Sequence, residues 1–257
     1  MSCSLVCSAI QSPHGRLSRP LQPKDVAAFY RRLAASIQKQ FGGDSLAALL
    51  LVHWLDGNGK TKTFHPKYVR DLDEVRSYLR DTARLIFLSQ KATPAKTIGR
   101  VVPRIRGTIQ ATPPYAMHLE GNVEVGLGVQ AKAALGMKVE PREVDVLYAL
   151  HGFTVISDVV VSVAKKGPKM YTVKFDRWKS KTTDQYHWDP NKHISVLNPD
   201  YGSKDAGAIA AGDKEIVVYH KHAIRVEKAG LAAPFTDESE VWDEIDLTVI
   251  GPATVTV

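Results

Sequence analysis

From Lys24 onward, apolar residues recur at intervals of three and four: Val26, Tyr30, Leu33, Ile37 and Phe41. That spacing lines one face of a helix, which Gly42 and Gly43 end. Asp44 or Ser45 can cap a second helix over Leu46–Leu55. This helix is apolar nearly all round, so it is expected to be buried, with His53 as a core histidine whose hydrogen bonds are satisfied. Asp56 to Gly59 reads as a turn. A third helix is expected to start at Asp71, with Glu74 three positions on in a capping-box-like pattern. Its apolar face is Leu72, Val75, Leu79, Ala83 and Ile86, and Arg70, Arg76, Arg80 and Arg84 lie largely off that face.

The period then changes. Residues 91–114 hold Pro94, Pro103, Pro113 and Pro114 among Lys96, Arg100, Arg104 and Arg106, and read as a linker. Val123, Val125, Leu127 and Val129 alternate, which predicts a strand. Pro141–Leu150 is expected to be a short helix, with proline in its first turn and Gly152 after its end. Phe153 to Val163 and Tyr171 to Trp178 read as an antiparallel hairpin turning at Lys166-Gly167-Pro168. Ile216 to Tyr219 is a further strand, Ala223 to Lys228 a helical turn stopped at Gly230, and Ile245 to Ile250 a last strand. The expected fold is α+β: a flexible tail at 1–23, a helical region at 24–92, a Pro/Arg-rich linker at 93–114 and a β-rich, mainly antiparallel part at 115–257.

Composition narrows the class. Of 257 residues, 44% are hydrophobic and 24% charged, values of a folded globular chain and not of a disordered one. No apolar run approaches the roughly 20 residues needed to span a bilayer. The N-terminus lacks a charged start followed by an apolar run and a cleavage site, so no secretory signal is read. The expectation is a cytoplasmic protein, or one exported by a leaderless route to act in a target periplasm. Cys3 and Cys7 stand alone near the N-terminus, which excludes a disulfide scaffold or a zinc site built on paired cysteines. Charge is uneven: residues 1–112 carry 18 Lys and Arg against 7 Asp and Glu, and the remainder 16 against 20. A basic front half suits a polyanion, whether nucleic acid, anionic lipid or an acidic partner protein.

Familiar motifs fail. Gly59-Lys60-Thr61 has the end of a phosphate-binding loop, but Trp54 stands where the earlier glycine belongs. Asp56, Asn58 and Lys60 start like a calcium loop, but Tyr68 occupies the bidentate glutamate position. What remains is Asp184 to His193, DQYHWDPNKH, where ten residues hold two carboxylates (Asp184, Asp189), two imidazoles (His187, His193), a phenol (Tyr186) and an indole (Trp188). A carboxylate beside an imidazole orients it and raises its basicity, as general base catalysis or metal ligation requires. In an extended chain Asp184 and Tyr186 share a face, and a turn at Pro190-Asn191 can return His193 towards them. His220 and His222 would share a strand face and offer a second, alternating histidine pair for a metal, and Asp200 is a further residue within reach.

The spacing Asp184, Tyr186, His193 resembles the catalytic motif of colicin M-type bacteriocins. These antibacterial toxins cut the peptidoglycan precursor lipid II at its pyrophosphate link, with magnesium, in a β-rich mixed domain that follows a helical part. The resemblance covers about ten residues of the 257 and implies that Asp184 and His193 are catalytic and that Tyr186 shapes the site. The chain has His187 where the family has Asp, and Ile194 where it has Arg; Asp189 and Lys192 stand nearby as replacements. The site expected on this basis is Asp184, Tyr186, His187, Asp189 and His193, with Asp184, Asp189 and His193 around Mg2+. The corresponding function is an antibacterial toxin that hydrolyses a phosphate-linked envelope precursor. Two other readings stand beside it: a binding protein whose basic helical region contacts nucleic acid or an acidic partner, and a metal-dependent nuclease.

Overall fold

A computed structural model describes residues 22–89, 105–109, 114–167, 170–202, 204, 214–244 and 253–256. The helices are α1 (Pro23–Phe41), α2 (Leu46–Leu55), α3 (Asp73–Ser89), α4 (Val125–Ala134), α5 (Pro141–Leu150) and α6 (His220–Lys228). The strands are β1 (Lys62–Phe64), β2 (Ile105–Ile109), β3 (Tyr115–Glu124), β4 (Gly152–Gly167), β5 (Met170–Tyr186), β6 (His193–Leu197), β7 (Glu215–Tyr219), β8 (Phe235–Ser239), β9 (Trp242–Asp243) and β10 (Ala253–Thr256). The fold is α+β, with a helical N-terminal part and mostly antiparallel strands after it. Among the described residues no helix is long and apolar enough to cross a membrane.

The chain forms two compact units, each discontinuous in sequence: Met1–Lys60 with Gln185–Thr236, and Thr61–Asp184 with Asp237–Val257. In the first, α1 packs on α2 and on α6. The face of α1 expected from the three-and-four spacing is the buried one, with Val26, Tyr30, Leu33 and Ile37 inside. Ser45 caps α2, its Oγ accepting the Ala48 N–H at 3.1 Å. Seven of the ten α2 residues are buried, whereas Val52 is 44% exposed. Strands β6 and β7 form an antiparallel pair from His193↔Tyr219 to Leu197↔Glu215.

In the second unit the sheet runs β1-β8-β5-β4-β3-β2, with β9 and β10 also pairing with β5. Its centre is the expected β4–β5 hairpin. Alternation buries Phe153, Val155, Ser157, Val159 and Val161 on one face of β4. A bulge between Val160 and Val161 lets Phe175 and Trp178, three residues apart, face the same side of β5, their rings 5.3 Å apart. Gly121 of β3 makes room for Tyr78 of α3, since a Cβ there would lie 2.2 Å from the Tyr78 ring.

Several expectations are corrected. Val125 to Val129 is the start of α4, not a strand; Gly126 lies against His151 and Leu147 and Gly128 against Glu74, contacts that a Cβ would block. Helix α3 begins at Asp73, and Asp71 accepts from Arg70 and Arg76 instead of capping. The 93–114 segment contains strand β2, paired with β3; the rest of it, apart from Pro114, lies outside the described residues, as do residues 1–21 and the strand expected at 245–250. At the end of α5 the left-handed turn is taken by His151, φ 56°, and Gly152 opens β4.

Candidate functional site

The polar segment falls across the two units: Asp184 belongs to the sheet unit, and Tyr186, His187, Asp189 and His193 to the helical one. Tyr186 ends β5 and stacks on Phe235 with ring centres 4.9 Å apart. His187 is exposed, and its Nδ1 lies 2.7 Å from the Gln185 carbonyl. Asp189 shapes the turn: its carboxylate accepts from Asn191 N–H at 2.9 Å and its carbonyl from Lys192 N–H at 3.0 Å. His193 opens β6 as an exposed residue, its ring 5.7 Å from that of Tyr219. Among the described residues no three His, Cys, Asp or Glu side chains are grouped to hold a metal ion, and of the expected Asp184, Asp189 and His193 the first belongs to one unit and the other two to the other.

What the segment does instead is build the surroundings of His220. This residue is the first of α6, not the end of a strand, so His220 and His222 do not share a face as alternating strand residues would. The Lys192 carbonyl accepts the His220 backbone N–H at 3.1 Å. Trp188 stands edge-on to the imidazole, with ring centres 4.8 Å apart. Burial, the largest influence on this imidazole, lowers its pKa. Tyr30 lies 5.6 Å and Trp54 5.3 Å from Trp188, so four aromatic rings converge. The Trp54 indole N–H donates to Glu227 at 2.8 Å. Tyr30 Oη, Trp188 Nε1 and His220 Nδ1 are buried with no hydrogen-bond partner among the described residues. His53 is half-buried and not the core residue expected, and its Nε2 lies 2.8 Å from the Lys60 carbonyl. Asp200 is engaged by Arg32 through two bonds, of 2.6 and 2.9 Å.

In the sheet unit, Asp184 has a neighbour that the sequence did not single out. Asp237 lies on β8, beside β5, and is fully buried. Neither carboxylate oxygen has a hydrogen-bond partner among the described residues. Burial, and then the charge of Asp184, push its pKa up to about 8. Around it the face is polar: Ser157 and Ser180 bond to each other at 2.9 Å, Ser239 Oγ accepts the Thr182 N–H at 2.9 Å, and Thr182 Oγ1 is buried without a partner. One signal could have revealed Asp237: Phe235, Asp237 and Ser239 alternate, which puts the carboxyl on the same strand face as a core phenylalanine. In the sequence it stands in an acidic run with Glu238 and Glu240.

Comparison with protein-family models, with curated proteins and with solved structures finds no match.

Proposed function

We propose that the chain is a magnesium-dependent hydrolase of a phosphate-linked substrate of the lipid II type, with Asp184 and Asp237 as the carboxylates that hold the ion. One observation carries the reading: a fully buried carboxyl, neither of whose oxygens is hydrogen-bonded within the described residues, stands beside a second carboxylate. Such an arrangement is costly unless a proton or a cation occupies it. The donors suit Mg2+, being two carboxylates and the Thr182 hydroxyl, all hard oxygens, and Mg2+ is commonly held by one or two carboxylates with water and substrate phosphate completing its shell. When bound, the ion would neutralise charge on a pyrophosphate and polarise its phosphorus. The resemblance of Asp184, Tyr186 and His193 to the colicin M-type motif supports the choice of lipid II. In this reading Asp184 keeps its role as metal ligand, Asp237 takes the place of Asp189, and His193 is a solvent-facing group at the start of β6.

The test is incubation of the purified chain with lipid II and Mg2+, with EDTA controls and the variants Asp184→Asn and Asp237→Asn. Magnesium-dependent release of the pyrophosphorylated head group, lost in both variants, is expected. No cleavage at any enzyme concentration, or full activity in Asp237→Asn, overturns the reading. A second reading, contact with nucleic acid, is favoured by the exposure of Arg76, Arg80 and Arg84 along α3. It requires binding to DNA or RNA that weakens steeply with salt, and is refuted by its absence.

A further inference from the structure

We propose that the surface around Tyr219, which carries Lys192, His193, Lys221, His222 and Arg225, binds single-stranded nucleic acid, with the rings as a stacking platform and the cations on the phosphates. This surface belongs to the helical unit alone. Neither the Asp184–Asp237 pair nor the arginines along α3 take part in it.

Two short stretches of sequence build it. Lys192 leads into β6, which His193 opens, and Tyr219 ends β7; His193 and Tyr219 are paired directly across the two strands. The chain then turns straight into α6, so Lys221 and His222 stand in its first turn and Arg225 lies one turn on, next to both. The Lys192 carbonyl accepts the His220 backbone N–H at 3.1 Å, which ties the start of α6 to the entry of β6. Ring centres run from His193 to Tyr219 at 5.7 Å and from Tyr219 to His222 at 6.0 Å. Lys221 Nζ lies 4.9 Å from the Tyr219 ring centre. Lys192, His193, Lys221 and Arg225 are exposed, and Tyr219 and His222 are half-buried.

The charge here is one-sided. On β6, β7 and α6 the acids are Glu215, paired with Leu197 at the far end of the two strands, and Glu227, which accepts the Trp54 indole N–H. The Asp189 carboxylate, before the turn, accepts the Asn191 N–H. Lys192, His193, Lys221 and His222 form no ion pair among the described residues. Burial, and then Lys221 and Arg225, lower the pKa of His222, so these cations are close enough to oppose a further charge. Crowded cations with few acids form a surface that a polyanion stabilises.

The rings choose among polyanions. Phenol and imidazole faces offer stacking to an unpaired base while lysine and arginine reach the flanking phosphates, the combination that single strands use. A duplex keeps its bases stacked on one another and leaves the platform idle. An anionic membrane takes apolar side chains beside the cations, but the exposed large hydrophobic of these elements, Leu197, lies at the opposite end of β6 from His193. In the complex, Lys221 leaves the Tyr219 face for a phosphate and a base takes its place.

The test is fluorescence anisotropy of a labelled oligothymidylate about 15 nucleotides long, and of a duplex of the same length, with the full chain. The single strand is expected to bind more tightly than the duplex, with a logarithmic salt slope of about −2 for three phosphate contacts. Tyr219→Leu should weaken single-strand binding about tenfold at an unchanged slope, and Tyr219→Phe should restore it. Lys192→Gln combined with Lys221→Gln should weaken it and bring the slope to about −0.7. If Tyr219→Leu does not fold, the exposed lysine pair decides, and an unchanged slope overturns the proposal. Changing Arg76, Arg80 and Arg84 to Gln should leave single-strand binding intact; loss there alone assigns the binding to α3 and overturns it. So does a single strand that fails to bind at low salt, equal affinity for the duplex, or full affinity in a natively folded Tyr219→Leu. Phosphatidylglycerol vesicles bound by the wild type and released by the lysine pair, without oligonucleotide binding, would make the surface a membrane contact and overturn it too.

Discussion

Replacing Asp237 by Asn removes a titrating group while keeping nearly the same shape, and isolates what a buried carboxyl contributes to stability. An unfolded aspartate titrates near 3.9, whereas Asp237 is pushed up to about 8 by burial and by Asp184. Between those values the folded chain holds one proton more than the unfolded chain. Stability must therefore fall as pH rises, at about 1.4 kcal/mol per pH unit. The contribution is complete below about pH 4, declines through neutrality and is gone above about pH 8. Its full size, about 6 kcal/mol, is an upper bound for a group with no compensating hydrogen bond. From pH 5 to pH 7 the wild type should lose about 3 kcal/mol more than Asp237→Asn. The assay is urea unfolding followed by circular dichroism at several pH values. His118, whose pKa is raised by Asp158 and Glu120, and His220 and His222, lowered by burial, titrate nearby; they are common to both proteins and cancel in the difference. Above pH 8, Mg2+ should stabilise the wild type by mass action and leave the variant unchanged. Parallel pH profiles for the two proteins would refute the reasoning.

Three further expectations rest on packing and capping. Arg32→Ala removes the two-bond fork on buried Asp200 and should cost about 2 kcal/mol in urea unfolding, with Arg32→Lys recovering only part, because an ammonium cannot make two parallel bonds. Ser45→Ala deletes the cap on the Ala48 N–H and should lower stability by about 1 kcal/mol, while Ser45→Asp should be near neutral. Gly121→Ala would set a Cβ 2.2 Å from the Tyr78 ring, and should cost about 1–3 kcal/mol, much of it regained when Tyr78→Leu is added.

The legible parts of this chain are those whose physics is local. Helices α1, α2 and α5 follow from apolar spacing, a Ser45 cap and a proline at the first turn, and the β4–β5 hairpin from β-branched runs around a turn, because each signal lies within a few residues of the element it sets. The α4 segment misled for the converse reason. Val125, Leu127 and Val129 alternate as in a strand, but Gly126 and Gly128 sit where His151 and Glu74 approach, and that packing is invisible in a window of ten residues. Strands β1 and β8 are short and polar, and pair in parallel across more than 170 residues of sequence. The candidate site divides in the same way. The density of chemistry at Asp184–His193 is visible in the sequence. That the Lys192 carbonyl holds the His220 backbone N–H, and that Asp237 is a fully buried carboxyl, was decided by tertiary structure alone: burial and hydrogen-bond partnership belong to residues brought together from distant parts of the chain, and no local pattern encodes which polar group will be buried.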